Sequence, residues 1–261
     1  MTLCIAWKDR NGIHLAADSR LTLARDSWAD VGIKVLALSY TVVDPYEAGG
    51  GGLQKTRYSG ELGMCFAGSA VNSLTIKESV AAALGRLQHF PGMTDVSLGG
   101  LVAFIFVAYR HISRRVCETA IGKNGLADMV IAGFCQVEQR HRAFRLTTDP
   151  VTNVASMEEV LTAEGDNILL GSQSAVAAAT QLLDMSLPPL RALRAIIGDG
   201  GHPAVGGPLQ YGLTTQDGFR ISGELAFNDG VHYWRGGIDF NDPEFQVECP
   251  FIPSLAYIEP D

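Results

Sequence analysis

Basic residues are scarce in this chain of 261 residues: 20 Lys and Arg stand against 28 Asp and Glu, for a formal net charge of −8 and an isoelectric point near 5.2. The positive field that draws proteins to a phosphate backbone is missing, so no nucleic-acid partner is expected. Cysteine is also sparse. Cys4, Cys65, Cys117, Cys135 and Cys249 are odd in number and far apart, which excludes a disulfide framework or a zinc ribbon and reads as buried thiols in a reducing cytoplasm. The longest apolar run, Leu98 to Tyr109, is 12 residues long. It falls short of the ~20 that a membrane span requires and reads as a core helix.

Other signatures are missing too. The N-terminus has no basic stretch followed by an apolar run and a small-residue cleavage site, so no signal peptide and a cytoplasmic location are expected. The six histidines show no pair at metal-ligand spacing, and no Gly-x-Ser-x-Gly elbow occurs, so no metal or organic cofactor is expected. Gly49 to Thr56 comes close to a phosphate-binding loop. Gln54 fills the essential second glycine, however, and a strand rather than a helix is expected to follow.

With 47% hydrophobic residues, the chain can bury a sizeable core. Thr2 to Lys8 reads as a strand, Asp9-Arg10-Asn11-Gly12 as a turn, and Ile13 to Ala17 as its partner. Ile33 to Val43 and Lys55 to Ala67 read as further strands, joined by a mobile hairpin tip through Pro45 and Gly49 to Gly52. Helical periodicity follows at Ile76, Val80, Leu84 and Leu87, and again at Leu101, Ile105, Ala108, Ile112 and Val116. Strands are predicted at Ala127 to Phe134, Ala143 to Thr148 and Asn167 to Leu170, helices at Ala175 to Met185 and Pro188 to Ile197, and strands at Leu209 to Thr214 and Phe219 to Ser222. Strands, two helices, strands, two helices, strands suit an α+β fold: a four-layer αββα sandwich of two antiparallel sheets. Residues 1–222 are expected to form this domain. Residues 223–261 are expected to form an extension packing on it or on a neighbouring subunit.

Thr2 has unusual chemistry available. Once Met1 is removed, its α-amine, with a reference pKa of about 7.7 to 8.0, can take the proton of its own hydroxyl. Such a nucleophile needs a nearby buried cation. Asp18 closes the second strand, and Lys34 follows 16 residues later at the start of the third. Taken singly, these two also fit a turn aspartate and a snorkelling lysine.

Thr2, the run Leu15-Ala16-Ala17-Asp18-Ser19-Arg20-Leu21-Thr22 and Lys34 resemble the signature of proteasome β-subunits, and among those the bacterial β-type homologues. The resemblance implies an N-terminal nucleophile hydrolase in which Thr2 attacks, Lys34 lowers the nucleophile's pKa and Asp18 orients the lysine. Lys55 is an alternative to Lys34 that breaks the spacing from Asp18. In Phe66-Ala67-Gly68-Ser69-Ala70 the resemblance makes the Gly68 amide the oxyanion donor, with Phe66 and Ala70 lining the pocket for the substrate side chain; Ser69 reads as an N-cap. Thr22 would pair with substrate backbone. In Gly171-Ser172-Gln173-Ser174 it makes Ser172 a partner of the terminal amine, while a plain N-cap fits equally. Gly201-His202-Pro203-Ala204-Val205-Gly206-Gly207 departs from the family pattern, because His202 and Val205 replace the Asp and Ser that orient the amine; His202, Asp199 or a water would have to substitute. The implied activity is a threonine-type peptidase in a homo-oligomeric ring, with any partner ATPase unknown. The rivals are an amidase on a small molecule and a ring scaffold without activity.

Overall fold

The computed structural model describes residues 2–24, 27–45, 54–118, 122–227, 230–235, 237–244 and 256–258. In chain order the elements are β1 (Leu3–Asp9), β2 (Gly12–Ala17), β3 (Leu21–Ala24), β4 (Ser27–Ala29), β5 (Val35–Val43), β6 (Thr56–Gly68), α1 (Ala70–Leu84), β7 (Leu87–Gln88) and α2 (Leu98–Val116). After a 3₁₀ turn at Gly122–Gly125 come β8 (Ala127–Cys135), β9 (Arg140–Thr148), β10 (Ala155–Val160), β11 (Asn167–Gly171), α3 (Gln173–Asp184) and α4 (Pro189–Asp199). The chain ends with β12 (Gln210–Thr215), β13 (Gly218–Ala226), β14 (His232–Arg235), β15 (Ile238–Asp239) and β16 (Tyr257–Ile258).

The fold is mixed α+β and dominated by antiparallel sheets. An eight-stranded sheet runs β11-β1-β2-β12-β13-β14-β15, with β16 pairing β13, and a six-stranded sheet runs β10-β9-β8-β6-β5-β7. Among the described residues, only the short pairs β5–β7 and β13–β16 are parallel. The opening hairpin forms because Asp9 Oδ1 accepts the backbone N–H groups of Asn11 and Gly12, an Asx turn.

Three buried clusters show why so many strands read as continuous apolar runs. Leu3 and Ile5 of β1 pack with Ala175 and Ala179 of α3 and with Leu193 and Ile196 of α4. Their neighbours Cys4 and Ala6 point to the other face and meet Cys65, Ala67 and Val130 of the six-stranded sheet. Met64 and Phe66 of β6 then face α1 and α2 through Ile76, Val80, Leu101 and Ile105. Both sheets bury both faces, so the period of two is hidden by hydrophobicity on each side.

Several boundaries differ from expectation. Lys34 does not begin the third strand: the hairpin β3–β4 intervenes and Lys34 lies one residue before β5. Helix α1 stops at Leu84, with Gly85 as its C-cap, and Leu87 instead pairs with Val42. The expected domain boundary after Ser222 falls inside β13, to which β14 and β16 add. Tyr233 and Trp234 lie in β14, and Tyr233 meets Tyr257 edge-on at 5.1 Å. Gly49 to Gly52, Phe245, Cys249 and Phe251 lie outside the described residues. Cys4, Cys65 and Cys135 are buried and, with the half-buried Cys117, free. No described helix is long and apolar enough to cross a membrane.

Candidate active site

Asp18 follows the last residue of β2 and is fully buried, and its carboxylate meets four donors. Oδ1 accepts the Leu3 N–H at 3.0 Å and the Lys34 ammonium at 2.9 Å. Oδ2 accepts the N–H groups of Arg20 and Gly206, each at 3.1 Å. A carboxylate has about four acceptor positions, so this one is saturated. Lys34 is also 0% exposed, and its Nζ makes a second bond, of 2.6 Å, to the Arg20 carbonyl. A buried ion pair is tolerable only when its remaining hydrogen-bonding capacity is met in this way. Lys55, the alternative cation, is exposed just before β6 and is not the lysine on Asp18.

The segment carrying these groups is clasped from outside. The Arg20 guanidinium grips Asp30 through Nε at 2.7 Å and Nη2 at 2.8 Å, reaches the Pro203 carbonyl at 3.2 Å, and lies over the Trp28 ring at 5.0 Å. Its hydrogen bonds to Asp30 raise the guanidinium pKa above its ordinary value. The Gly206 carbonyl accepts the Ser19 N–H at 3.1 Å. Gly207 has φ +73°, and a Cβ there would lie 2.4 Å from Ser19 Oγ, so the close approach of this loop to β2 needs glycine.

Thr2 is 4% exposed at the head of β1. Its carbonyl accepts the Ser172 N–H at 3.2 Å, and a Cβ on Gly171, whose φ is +151°, would sit 2.1 Å from that same oxygen. The turn before α3 therefore holds Thr2 by backbone contact. Ser172 is buried at the N-cap position but makes no side-chain cap bond, so the plain N-cap reading is not met by its hydroxyl.

Gly68 ends β6 with φ +98°, and a Cβ there would lie 2.5 Å from the Leu126 carbonyl. Ser69 caps α1 as expected, its Oγ accepting the Asn72 N–H at 3.2 Å. Phe66, 1% exposed, lies in the cluster against α1 and α2, and the half-buried Ala70 packs on that cluster. Thr22 is in β3, opposite Trp28 in β4. Asp199 is exposed at the end of α4, and Val205 is buried beside Leu3 and Ile5. The loop position where a hydroxyl was sought is thus a packing position.

Two neighbours escaped the sequence reading. The Gln210 side chain bonds the backbone of Gly32, Lys34 and Val35. The Cys4 thiol donates to the Phe66 carbonyl at 2.9 Å; burial, with Cys65 beside it, pushes its pKa well above the ordinary thiol value.

The arrangement brings Asp18 and Lys34 into one buried node against the Leu3 N–H, and Ser172 against Thr2. Gly68, Phe66 and Ala70 form a separate group at the β6–α1 junction, and Thr22 sits on its own hairpin.

No family model matches the chain, and no curated protein matches it. Solved structures do. An Anbu Gly-1 mutant from Hyphomicrobium aligns over 95% of this chain and 91% of its own, with TM-score 0.59 and 13% identity. Anbu, described as an ancestral β-subunit, from Yersinia bercovieri aligns over 94% and 90%, with TM-score 0.57 and 14% identity. The helical assembly of the Anbu complex from Pseudomonas aeruginosa aligns over 94% and 90%, with TM-score 0.56 and 16% identity. These neighbours correct the resemblance drawn from the sequence: they are Anbu proteins, a proteasome-like but distinct family, and not proteasome β-subunits. The short motifs that carried the resemblance, within Thr2 to Lys34, Phe66 to Ala70 and Gly171 to Ser174, do not separate two such families. At these identities the likeness shows that the chain has the fold of the Anbu proteins.

Proposed function

We propose that this chain assembles with its own copies as an Anbu-like scaffold, and that each subunit carries an N-terminal threonine amide-hydrolase centre. The assembly rests on the likeness to a protein whose complex is described as helical. The centre rests on one observation: a single oxygen, Asp18 Oδ1, takes both the Lys34 ammonium and the Leu3 N–H, which ties a buried cation to the peptide unit next to Thr2. We read the three core clusters as the three interfaces of a four-layer αββα N-terminal nucleophile fold. Residues 223–261 would pack on the domain or on a neighbouring copy, and the four free thiols among the described residues fit a reducing cytoplasm.

In the proposed reaction, Met1 is removed and the Thr2 amine takes the hydroxyl proton, directly or through water. Oγ then attacks an amide carbonyl carbon while Lys34 favours the alkoxide. The oxyanion is held by the Gly68 N–H. Collapse breaks the C–N bond, the leaving amine carries off the proton, and water releases the acyl group from Oγ. Thr22 would align an extended peptide, Ala70 would line the side-chain pocket with Phe66, closed within the core cluster, supporting its wall, and Ser172 would orient the amine.

A peptide epoxyketone tests this. Expected is a protein without Met1 whose Thr2 is modified, and a Thr2→Ala variant that is not. A processed wild-type protein that resists the reagent would refute the centre, and a monomer by light scattering would refute the assembly. A series of peptide lengths separates peptidase from small-molecule amidase. A scaffold without turnover is the second reading, favoured by Val205, whose burial with Leu3 leaves no hydroxyl at that position to orient the Thr2 amine.

A further inference from the structure

We infer that Gln210 is a positioning residue for Lys34, referencing the lysine to the sheet that carries Asp18; this rests on the reading of Thr2 as nucleophile. Gln210 opens β12 opposite Ala17 of β2, and its side chain crosses from the eight-stranded sheet to the segment that leads into β5 of the six-stranded sheet. Oε1 accepts the Lys34 N–H at 2.8 Å and the Val35 N–H at 3.1 Å, and Nε2 donates to the Gly32 carbonyl. The ladder of β5 with β6 begins at Val35, so the backbone of Gly32 to Lys34 lies outside it. Inside a buried node, the Lys34 N–H would otherwise be a costly orphan. One carboxamide supplies what a missing strand would, an acceptor for two N–H groups and a donor for a carbonyl.

The consequence is geometric. Nζ of Lys34 is fixed by Asp18 after β2, and its backbone N–H is fixed by Gln210 on β12, the neighbour of β2. Both ends of the lysine follow one pair of strands, although its chain continues into the other sheet. Without the clamp, Lys34 is free to follow β5, and a shift of about 1 Å at a reacting group costs on the order of 100-fold in rate.

The test compares Gln210→Met, which keeps the length and loses all three bonds, with Gln210→Glu, which keeps the acceptor of both N–H groups. Two measurements are made on the full chain: amide hydrogen exchange, and the first-order rate of Thr2 modification by a peptide epoxyketone at saturating reagent. In Gln210→Met, protection of the Lys34 and Val35 amides is expected to fall while that of Ile5 and Leu15 holds. The modification rate is expected to drop by about 100-fold at an unchanged half-saturating concentration. Gln210→Glu is expected to restore the protection and at least part of the rate. The inference is overturned if Gln210→Met reacts at the wild-type rate, if its loss lies in the half-saturating concentration, or if Gln210→Glu is no better than Gln210→Met. A wild-type protein that does not react removes the nucleophile reading itself, and Gln210 then loses its role in catalysis even where exchange still reports the clamp.

Discussion

Asp18–Lys34 and Glu159–Arg142 are both ion pairs joining different segments of chain at hydrogen-bond distance, yet water reaches one and not the other. At the edge of the six-stranded sheet, Arg142 on β9 makes two bonds to Glu159 on β10, at 2.9 and 2.6 Å, with its guanidinium over Phe144 and Arg140 nearby. The Glu159 side chain keeps 26% of its exposure. The side chains of Lys34 and Asp18 keep 1% and 0%, and every acceptor position on Asp18 is taken. The better geometry at the surface adds little, because solvent and salt screen it. The buried pair is dear to make and dearer to break, since removing one partner strands a charge. A sheet can use the first to dress its edge; only the second fixes a cation in one place.

Asp18→Asn should break the contrast most sharply. It turns an NH₂ toward two of the four donors and leaves Lys34 uncompensated, so denaturant titration should show a loss of about 3 to 5 kcal/mol, with no Thr2 modification. Gly171→Ala comes next. Its Cβ would press on the Thr2 carbonyl at a φ of +151°, and about 1 to 3 kcal/mol should be lost, with Thr2 modification falling further than a surface variant of equal stability would show. Ser69→Ala removes a cap bond that exists and should cost about 1 kcal/mol; Ser172→Ala removes none and should stay within about 0.5 kcal/mol in the same titration.

Glu159→Gln should cost at most about 1 kcal/mol at neutral pH. The hydrogen bonds from Arg142 hold the Glu159 carboxyl below its ordinary range, so its contribution is full above the unfolded value of about 4.3 and lost as pH falls through the depressed folded value. The difference between wild type and Glu159→Gln should therefore vanish in acid, and shrink in high salt at pH 7. A gap that grows on acidification would reverse the assignment of the two networks.

The sequence carried the outline of the fold where periodicity and capping are strong. The opening hairpin was legible from Asp9-Arg10-Asn11-Gly12, α1 and α2 from their apolar faces, and the α1 cap from Ser69. The hairpin β3–β4 was not, because its four- and three-residue strands follow Asp18-Ser19-Arg20 without a separating turn signal. Strand β10, Ala155–Val160, lies at the sheet edge with no residue fully buried, and its mixed sequence gave no run to notice. At the site, Asp18 and Lys34 could be paired because their spacing is informative. Gln210 could not, since one amide serving the backbone of Gly32, Lys34 and Val35 leaves no pattern in any of the segments. Its one trace is a polar residue between Leu209 and Tyr211. The likeness to Anbu structures could not be read from the motifs, because these are short stretches within Thr2 to Lys34, Phe66 to Ala70 and Gly171 to Ser174, whereas the shared fold extends over 94 to 95% of the chain.

Strand β1 is an inner strand, flanked by β2 and β11, and this sets an order of events during synthesis. Thr2 is among the first residues made, yet its carbonyl waits for Ser172, Lys34 waits for a residue 176 positions later, and Asp18 for one 188 positions later. Contacts of such long range form late in folding. If Thr2 is the nucleophile proposed above, a nascent chain has it from the beginning and no means of aiming it until the last quarter has emerged, so an incomplete subunit would be inert.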